Sequence, residues 1–205
     1  MLFDKLQESK SAFIFDFDDT LYPEKDYLYQ VYYMIAQFVE YHNAIPNQQI
    51  SAYLISEFEA NGRAKLFDKL IDRFTLPAEY MENFLRLLRT ARLPLKLLLF
   101  RESEWMLNTL IDNNKKIFLL TNGNPEQQYN KIIQVEWNGI QKNLICYFAN
   151  EISPKPSPDG IYKIMEDHTL SNTDLVFIGD SITDEQCAQN AKVDYYNIKD
   201  LIEKA

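Results

Sequence analysis

Two hydrophobic patterns divide the chain. Short continuous apolar runs, too brief for helices, occur at residues 12–17 (AFIFDF), 116–121 (KIFLLT), 146–149, 174–179 and 194–198, and each predicts a buried strand. Helical stretches at 126–135, 158–166 and 182–191 separate the later runs. Strands alternating with helices predict an α/β fold, a doubly wound, Rossmann-like parallel sheet of five core strands covered on both faces. Residues 22–100 are different. There the helical pattern runs through 24–42, 47–60, 64–74 and 78–92, punctuated at Pro46, Gly62 and Pro77. The expected organisation is an α/β core formed by residues 1–21 and 101–205, interrupted after its first strand by an all-helical cap, residues 22–100. The core would hold roughly 125 residues, an ordinary domain size.

Composition narrows the function classes. The chain has 205 residues, 46% hydrophobic and 25% charged, as in ordinary globular proteins. Its 21 Lys and Arg stand against 30 Asp and Glu, a formal net charge of −9 that repels polyanions, so nucleic acid is not an expected partner. No apolar run approaches the ~20 residues of a membrane span, and the opening MLFDKLQESK reads as neither a signal nor a transit peptide. A cytoplasmic protein without membrane association is expected. Cys146 and Cys187 have no metal-like spacing and read as plain buried residues, and His42 and His168 form no zinc motif.

The candidate chemistry lies at the ends of the predicted strands. It comprises Asp16-x-Asp18-x-Thr20, Thr121-Asn122, Lys155 between two prolines, and Gly179-Asp180 with Asp184 one helical turn on. Open parallel sheets bind ligands at the carboxyl ends of their strands. Each signal also has a plain reading: Asp18-Asp19-Thr20 as a turn or helix cap, Thr121-Asn122-Gly123 as a turn, Lys155 as a solvated loop residue. Their order along the chain, each after an apolar strand, favours a site.

FIFDFDDTLYP, FLLTNG, SPKPSPDGIY and FIGDSITDEQCAQNA resemble, in order, the four motifs of the haloacid dehalogenase-like hydrolase superfamily, in its phosphatase branch with a helical cap inserted after the first motif. The resemblance implies a Mg²⁺-dependent phosphomonoester hydrolase acting on a small phosphometabolite, a nucleotide or sugar phosphate, through an aspartyl-phosphate. Asp16 would be the nucleophile and Asp18 the general acid and base; Lys155 would bridge Asp16 and the phosphate. Asp16, the Asp18 backbone carbonyl and Asp180 are the implied Mg²⁺ ligands, with Asp184 supporting them directly or through water. Thr121 and the backbone amides near Asp19 and Asn122 would bind phosphoryl oxygens. The chemistry agrees: a carboxylate attacking a phosphate dianion needs its repulsion offset, by a hard oxygen-liganded cation and a fixed lysine. Metal-free dehalogenases of the superfamily lack the second aspartate, so Asp18 argues for phosphoryl transfer. Two positions depart from the pattern: Asp19, often glycine, a variant associated with nucleotidase-like members, and Lys192, which follows Ala191 where glycine often stands.

A phosphomutase is the nearest alternative. A receiver-like signalling domain or a non-catalytic binding module is a more distant one. Residues 61–101 contain nine basic and four acidic side chains, a basic segment suited to steering a phosphorylated substrate, with Arg86, Arg89 and Arg92 along one helix face. The alternative is an ordinary solvated face. Tyrosines 27, 29, 32, 33 and 41 either pack within the cap or stack a planar group, whereas Tyr22, directly after the first motif, is assigned to the site. A monomer or homodimer is expected.

Overall fold

A computed structural model describes residues 2–202. In chain order the elements are α1 (Leu2–Ser9), β1 (Ala12–Phe15), α2 (Glu24–Asn43), α3 (Asn47–Asn61), α4 (Leu66–Phe74), α5 (Tyr80–Thr90), α6 (Arg101–Asp112) and β2 (Lys116–Thr121). Then follow α7 (Pro125–Ile132), β3 (Leu144–Phe148), α8 (Asp159–His168), β4 (Leu175–Gly179), α9 (Ile182–Ala191), β5 (Asp194–Asn197) and α10 (Ile198–Ile202). The sequence pattern does not announce α1 or α6: α6 buries its apolar stripe, Met106, Leu107 and Leu110, among polar residues that hide it.

The described residues form two compact units. The first comprises residues 2–23, 98–128 and 135–202; the second comprises Glu24–Leu97 and Tyr129–Gln134.

In the first unit five parallel strands are ordered β3-β2-β1-β4-β5. The central strands β1 and β4 are buried on both faces, which is why they read as continuous apolar runs. Ile14, Phe118, Leu120 and Phe177 pack with Ile161 and Ile164 of α8 and with Cys187 and Ala188 of α9. On the opposite face Phe13 meets Phe3 of α1, which also contacts Trp105 of α6, at centroid distances of 6.2 and 5.4 Å. The chain leaves β1 toward β2 on one side and returns to β4 on the other. That reversal opens a crevice at the carboxyl ends of β1 and β4.

The second unit is helical. Tyr80 and Phe84 of α5 pack on Phe38 of α2 with centroids 4.9 and 6.1 Å away, and the buried Tyr27 hydroxyl donates to the Leu88 carbonyl at 2.6 Å. Tyr27 and Tyr32 are therefore core residues, while Tyr33 and Tyr41 are exposed. Residues 129–134 belong here because their polar side chains finish the helical unit. Asn130 donates to the Ala91 carbonyl at 2.9 Å, beyond the end of α5, and Gln134 accepts from the Leu93 amide at 2.7 Å. Lys131, fully buried, pairs with Glu24 at 2.8 Å and lies over the Tyr27 ring. No described helix is long and apolar enough to cross a membrane.

Candidate active site

Asp16 follows β1 and its amide donates to Ile178 of β4 at 3.0 Å, which sets its carboxylate at the crevice. Lys155 reaches the same place from the loop before α8. Its ammonium lies 2.5 Å from Asp16 Oδ1 and 2.5 Å from Asp184 Oδ1, with all three groups buried. Asp184 is wholly enclosed because Gly179 has no side chain: a Cβ there would stand 2.6 Å from Asp184 Oδ2. The other Asp184 oxygen completes a capping box at the start of α9, accepting from Ser181 Oγ at 2.6 Å and from its amide at 3.1 Å. Asp184 is thus the buried counter-ion of Lys155, with both oxygens engaged.

Asp180 follows β4 and is half-buried, and its carboxylate accepts a 3.3 Å hydrogen bond from Thr20. Carboxylate oxygens of Asp16, Asp180 and Asp184 lie within 4.8 Å of one another. The electrostatics reflect this crowding. Burial pushes the Asp16 carboxyl up to about 7 despite the opposing pull of Lys155, with Asp184 and Asp18 adding to the rise. Asp180 is raised by burial and then by Asp184 and Asp19. Burial opposes the charge on Lys155, yet Asp16 and Asp184 more than compensate and hold it above its ordinary value.

Asp18 stands outside this cluster. Its Oδ1 accepts from the Tyr22 hydroxyl at 2.6 Å and its Oδ2 from the Gln128 amide at 2.8 Å. The same Gln128 nitrogen donates to Thr121 Oγ1 at 2.6 Å, so Thr121 is tied to Asp18 through one side chain. Asp19 has φ 55° and gives its amide to the Tyr22 carbonyl at 2.9 Å, which closes the turn after the first motif. The Asp19 amide is therefore engaged within the chain. The Asn122 side chain acts as a clamp: Oδ1 accepts from the Lys155 amide at 2.8 Å, and Nδ2 donates to the Lys155 carbonyl at 3.0 Å. Sequence reasoning missed Gln128 altogether; its position one helical turn into α7, after the Asn122-Gly123 turn, is the only signal it carries.

Both cysteines are free, and burial raises the Cys146 thiol to about 11 and the Cys187 thiol to about 12. On the helical unit Arg86 is exposed and bonds only weakly to Asn83 at 3.4 Å, and Arg92 reaches Asn130 at 3.4 Å.

A doubly wound sheet whose two switch-point strands are each followed by an aspartate, with a buried lysine between carboxylates, defines a Rossmann-like α/β enzyme with a carboxylate centre. The chain matches the haloacid dehalogenase-like hydrolase family over residues 13–198 and belongs to that family; it is a hydrolase. No curated protein matches it. A hydrolase from Streptococcus pneumoniae TIGR4 shares the fold, with 18% identity, a TM-score of 0.55, and coverage of 96% of this chain and 98% of that one. A HAD-superfamily hydrolase of subfamily IA, variant 1, from Geobacter sulfurreducens PCA has 16% identity and a TM-score of 0.64, with 96% of each chain covered. A HAD family hydrolase from Deinococcus radiodurans R1, solved with bound phosphate and sodium, is 14% identical with a TM-score of 0.58, over 92% of this chain and 80% of that one. At these identities the likeness is one of fold.

Proposed function

We propose that the protein is a Mg²⁺-dependent phosphomonoesterase acting on a small phosphometabolite through an aspartyl-phosphate on Asp16. The observation that carries this reading is the Lys155 ammonium held 2.5 Å from Asp16 in a crevice that also holds Asp180. A carboxylate attacking a phosphate needs cationic charge on both sides. Lys155 supplies one side.

The donor set fits a hard divalent cation on the other side. Its ligands are carboxylate oxygens, and at Asp180 the long Thr20 bond and the charge of Lys199 do not outweigh burial beside other acids. Asp16, Asp180 and the Asp18 backbone carbonyl would hold Mg²⁺, with Asp184 acting through Lys155. When bound, Mg²⁺ supplies charge neutralisation and orients the phosphoryl group.

Asp16 attacks phosphorus, and the bond from phosphorus to the ester oxygen breaks. Asp18 gives its proton to the leaving alkoxide. It then takes a proton from the water that attacks the aspartyl-phosphate, releasing inorganic phosphate and restoring Asp16. Lys155 steadies the charge gathering on the phosphoryl oxygens, Asn122 fixes the backbone that carries it, and Thr121 contributes to the phosphate subsite. The helical unit is proposed to act as the cap that selects the substrate, with its basic side chains attracting anions. The bound phosphate of the Deinococcus relative is in keeping with this reading.

The test is phosphate release from p-nitrophenyl phosphate and from nucleotide and sugar phosphates, with Mg²⁺ or with EDTA, using wild type and Asp16→Asn. Turnover that requires Mg²⁺ and disappears in the variant supports the assignment. Absence of turnover on every ester, with folded protein and Mg²⁺ bound, overturns it.

A further inference from the structure

The helical unit contains a cavity of about 230 Å³ that is built entirely from its own residues. Tyr32 of α2 lines one side, Arg63 and Lys65 of the turn before α4 another, and Leu66, Leu85 and Leu88 supply apolar walls. Tyr32 is 1% exposed and lines the cavity, and among the described residues its hydroxyl makes no hydrogen bond. That O–H is a donor on offer at the cavity wall. Burial also holds this hydroxyl protonated, so it is a donor at any physiological pH. Leu85 is 39% exposed, an apolar side chain left open at the same cavity.

The charges around the cavity indicate what is missing. Arg63 and Lys65 are positive and Asp68 negative at its lining. Behind Arg63, Glu24 accepts from both Arg63 and the buried Lys131 at 2.8 Å, so that one carboxylate serves two cations. Arg63 and Lys65 outnumber Asp68 at the lining, an excess that suits one anionic group. Arg63 spends one guanidinium nitrogen on Glu24, and a guanidinium fork has further N–H groups matched to a planar carboxylate.

We propose that this cavity binds a small monocarboxylate with a compact apolar body of about one ring, its carboxylate accepting from Tyr32 and Arg63 and its body covering Leu66, Leu85 and Leu88. The volume lies below the ~300–1,000 Å³ of drug-sized pockets, which limits the ligand to a small molecule. This site is independent of the phosphatase assignment, because none of the crevice aspartates lines it.

The experiment titrates benzoate and cyclohexanecarboxylate into the full chain, with methyl groups of Leu and Met isotopically labelled and read by NMR, in EDTA. Benzyl alcohol and phenylphosphonate are the neutral and dianionic comparisons. Saturable millimolar or tighter binding of a carboxylate that shifts the Leu66, Leu85 and Leu88 methyls is expected. Tyr32→Phe and Arg63→Gln should each weaken it about tenfold, the worth of one charge-assisted hydrogen bond. Tyr32→Phe keeps the ring, so its packing against Phe58 survives. Failure of both carboxylates to shift these methyls overturns the proposal. So does binding that both variants leave unchanged, or alcohol or phosphonate binding as tight as the carboxylates.

Discussion

The Gln128 side-chain amide donates to Asp18 at 2.8 Å across 110 residues of sequence, and Tyr22 holds the other oxygen of the same carboxylate at 2.6 Å. A carboxyl group that gives a proton to a leaving group and later takes one from water works only in the correct orientation. These two side chains provide it. Tyr22→Phe and Gln128→Ala are expected to lower kcat/KM on alkyl phosphates by about 10- to 100-fold, part of the 10²–10⁴ that general acid catalysis contributes. On 2,4-dinitrophenyl phosphate, whose leaving group needs no proton, the loss should be small. Equal losses on both esters would mean a packing defect instead, although Tyr22→Phe keeps the ring that sits 4.7 Å from Phe17.

Lys155 and Asp184 should behave as one unit. Removing Lys155 leaves the buried carboxylates of Asp16 and Asp184 without a counter-ion, at a cost of about 3–5 kcal/mol, whereas Asp184→Asn leaves Lys155 paired with Asp16. Lys155→Met is therefore expected to lower the urea midpoint strongly and Asp184→Asn to lower it less. The double variant should lose less than the sum of the two, and a double-mutant cycle in urea measures the difference.

Gly179→Ala tests the same pair from below. The added Cβ meets Asp184 Oδ2 at 2.6 Å and Asp184 Cβ and Cγ at 2.7 Å, closer than packed atoms tolerate. Asp184 must shift away from Lys155 and from the Ser181 cap. A destabilisation of about 1–3 kcal/mol, typical of overpacking, is expected in thermal unfolding, together with loss of turnover.

Metal and proton should compete at Asp16. Its folded-state pKa of about 7 lies above the unfolded value, so this group adds stability at low pH that disappears as pH rises through about 7. Asp180 is raised in the same direction. A cation bound to the ionised carboxylates removes that penalty. The increase in Tm on adding Mg²⁺ should therefore be small at pH 5.5 and larger at pH 8, measured by differential scanning fluorimetry. An increase that is equal at both pH values would place the cation elsewhere.

Asp19 and Lys192 both adopt left-handed backbone, with φ of 55° and 57°, a region that costs most L-residues about 1–2 kcal/mol and glycine nothing. Asp19→Gly also removes a negative charge that raises Asp180. Lys192→Gly is expected to raise Tm by a few degrees, and Asp19→Gly by a similar amount. Thermal scans of the two single variants check this.

The strands were legible because burial on both faces leaves almost no polar positions, as in β1 and β4. The edge strand β3 was only half legible: it begins at Leu144 and is partly exposed, so its apolar signal is diluted. The run predicted to continue to residue 17 ends at Phe15, and the chain turns at residues 19–21, where the Asp19 amide bonds the Tyr22 carbonyl. Residues Asp16, Lys155, Asp180 and Asp184 could be picked out as acids and a lysine beside strand ends. What holds them could not. The Asn122 clamp on Lys155 and the Gln128 bridge to Asp18 involve amide side chains whose partners lie 33 and 110 residues away.

By itself the sequence determined the order of the elements and which carboxylates come after which strands, since both follow from local periodicity and from the residue that comes next. Tertiary structure alone decided how the charges are shared. It made Asp184 the enclosed partner of Lys155 instead of an exposed acid, drew residues 129–134 into the helical unit, and left the Tyr32 hydroxyl open to a cavity where Arg63 and Lys65 outnumber Asp68. The reason is physical: a side chain's burial and its charge partners depend on distances between segments far apart in the chain, and no local pattern encodes those distances.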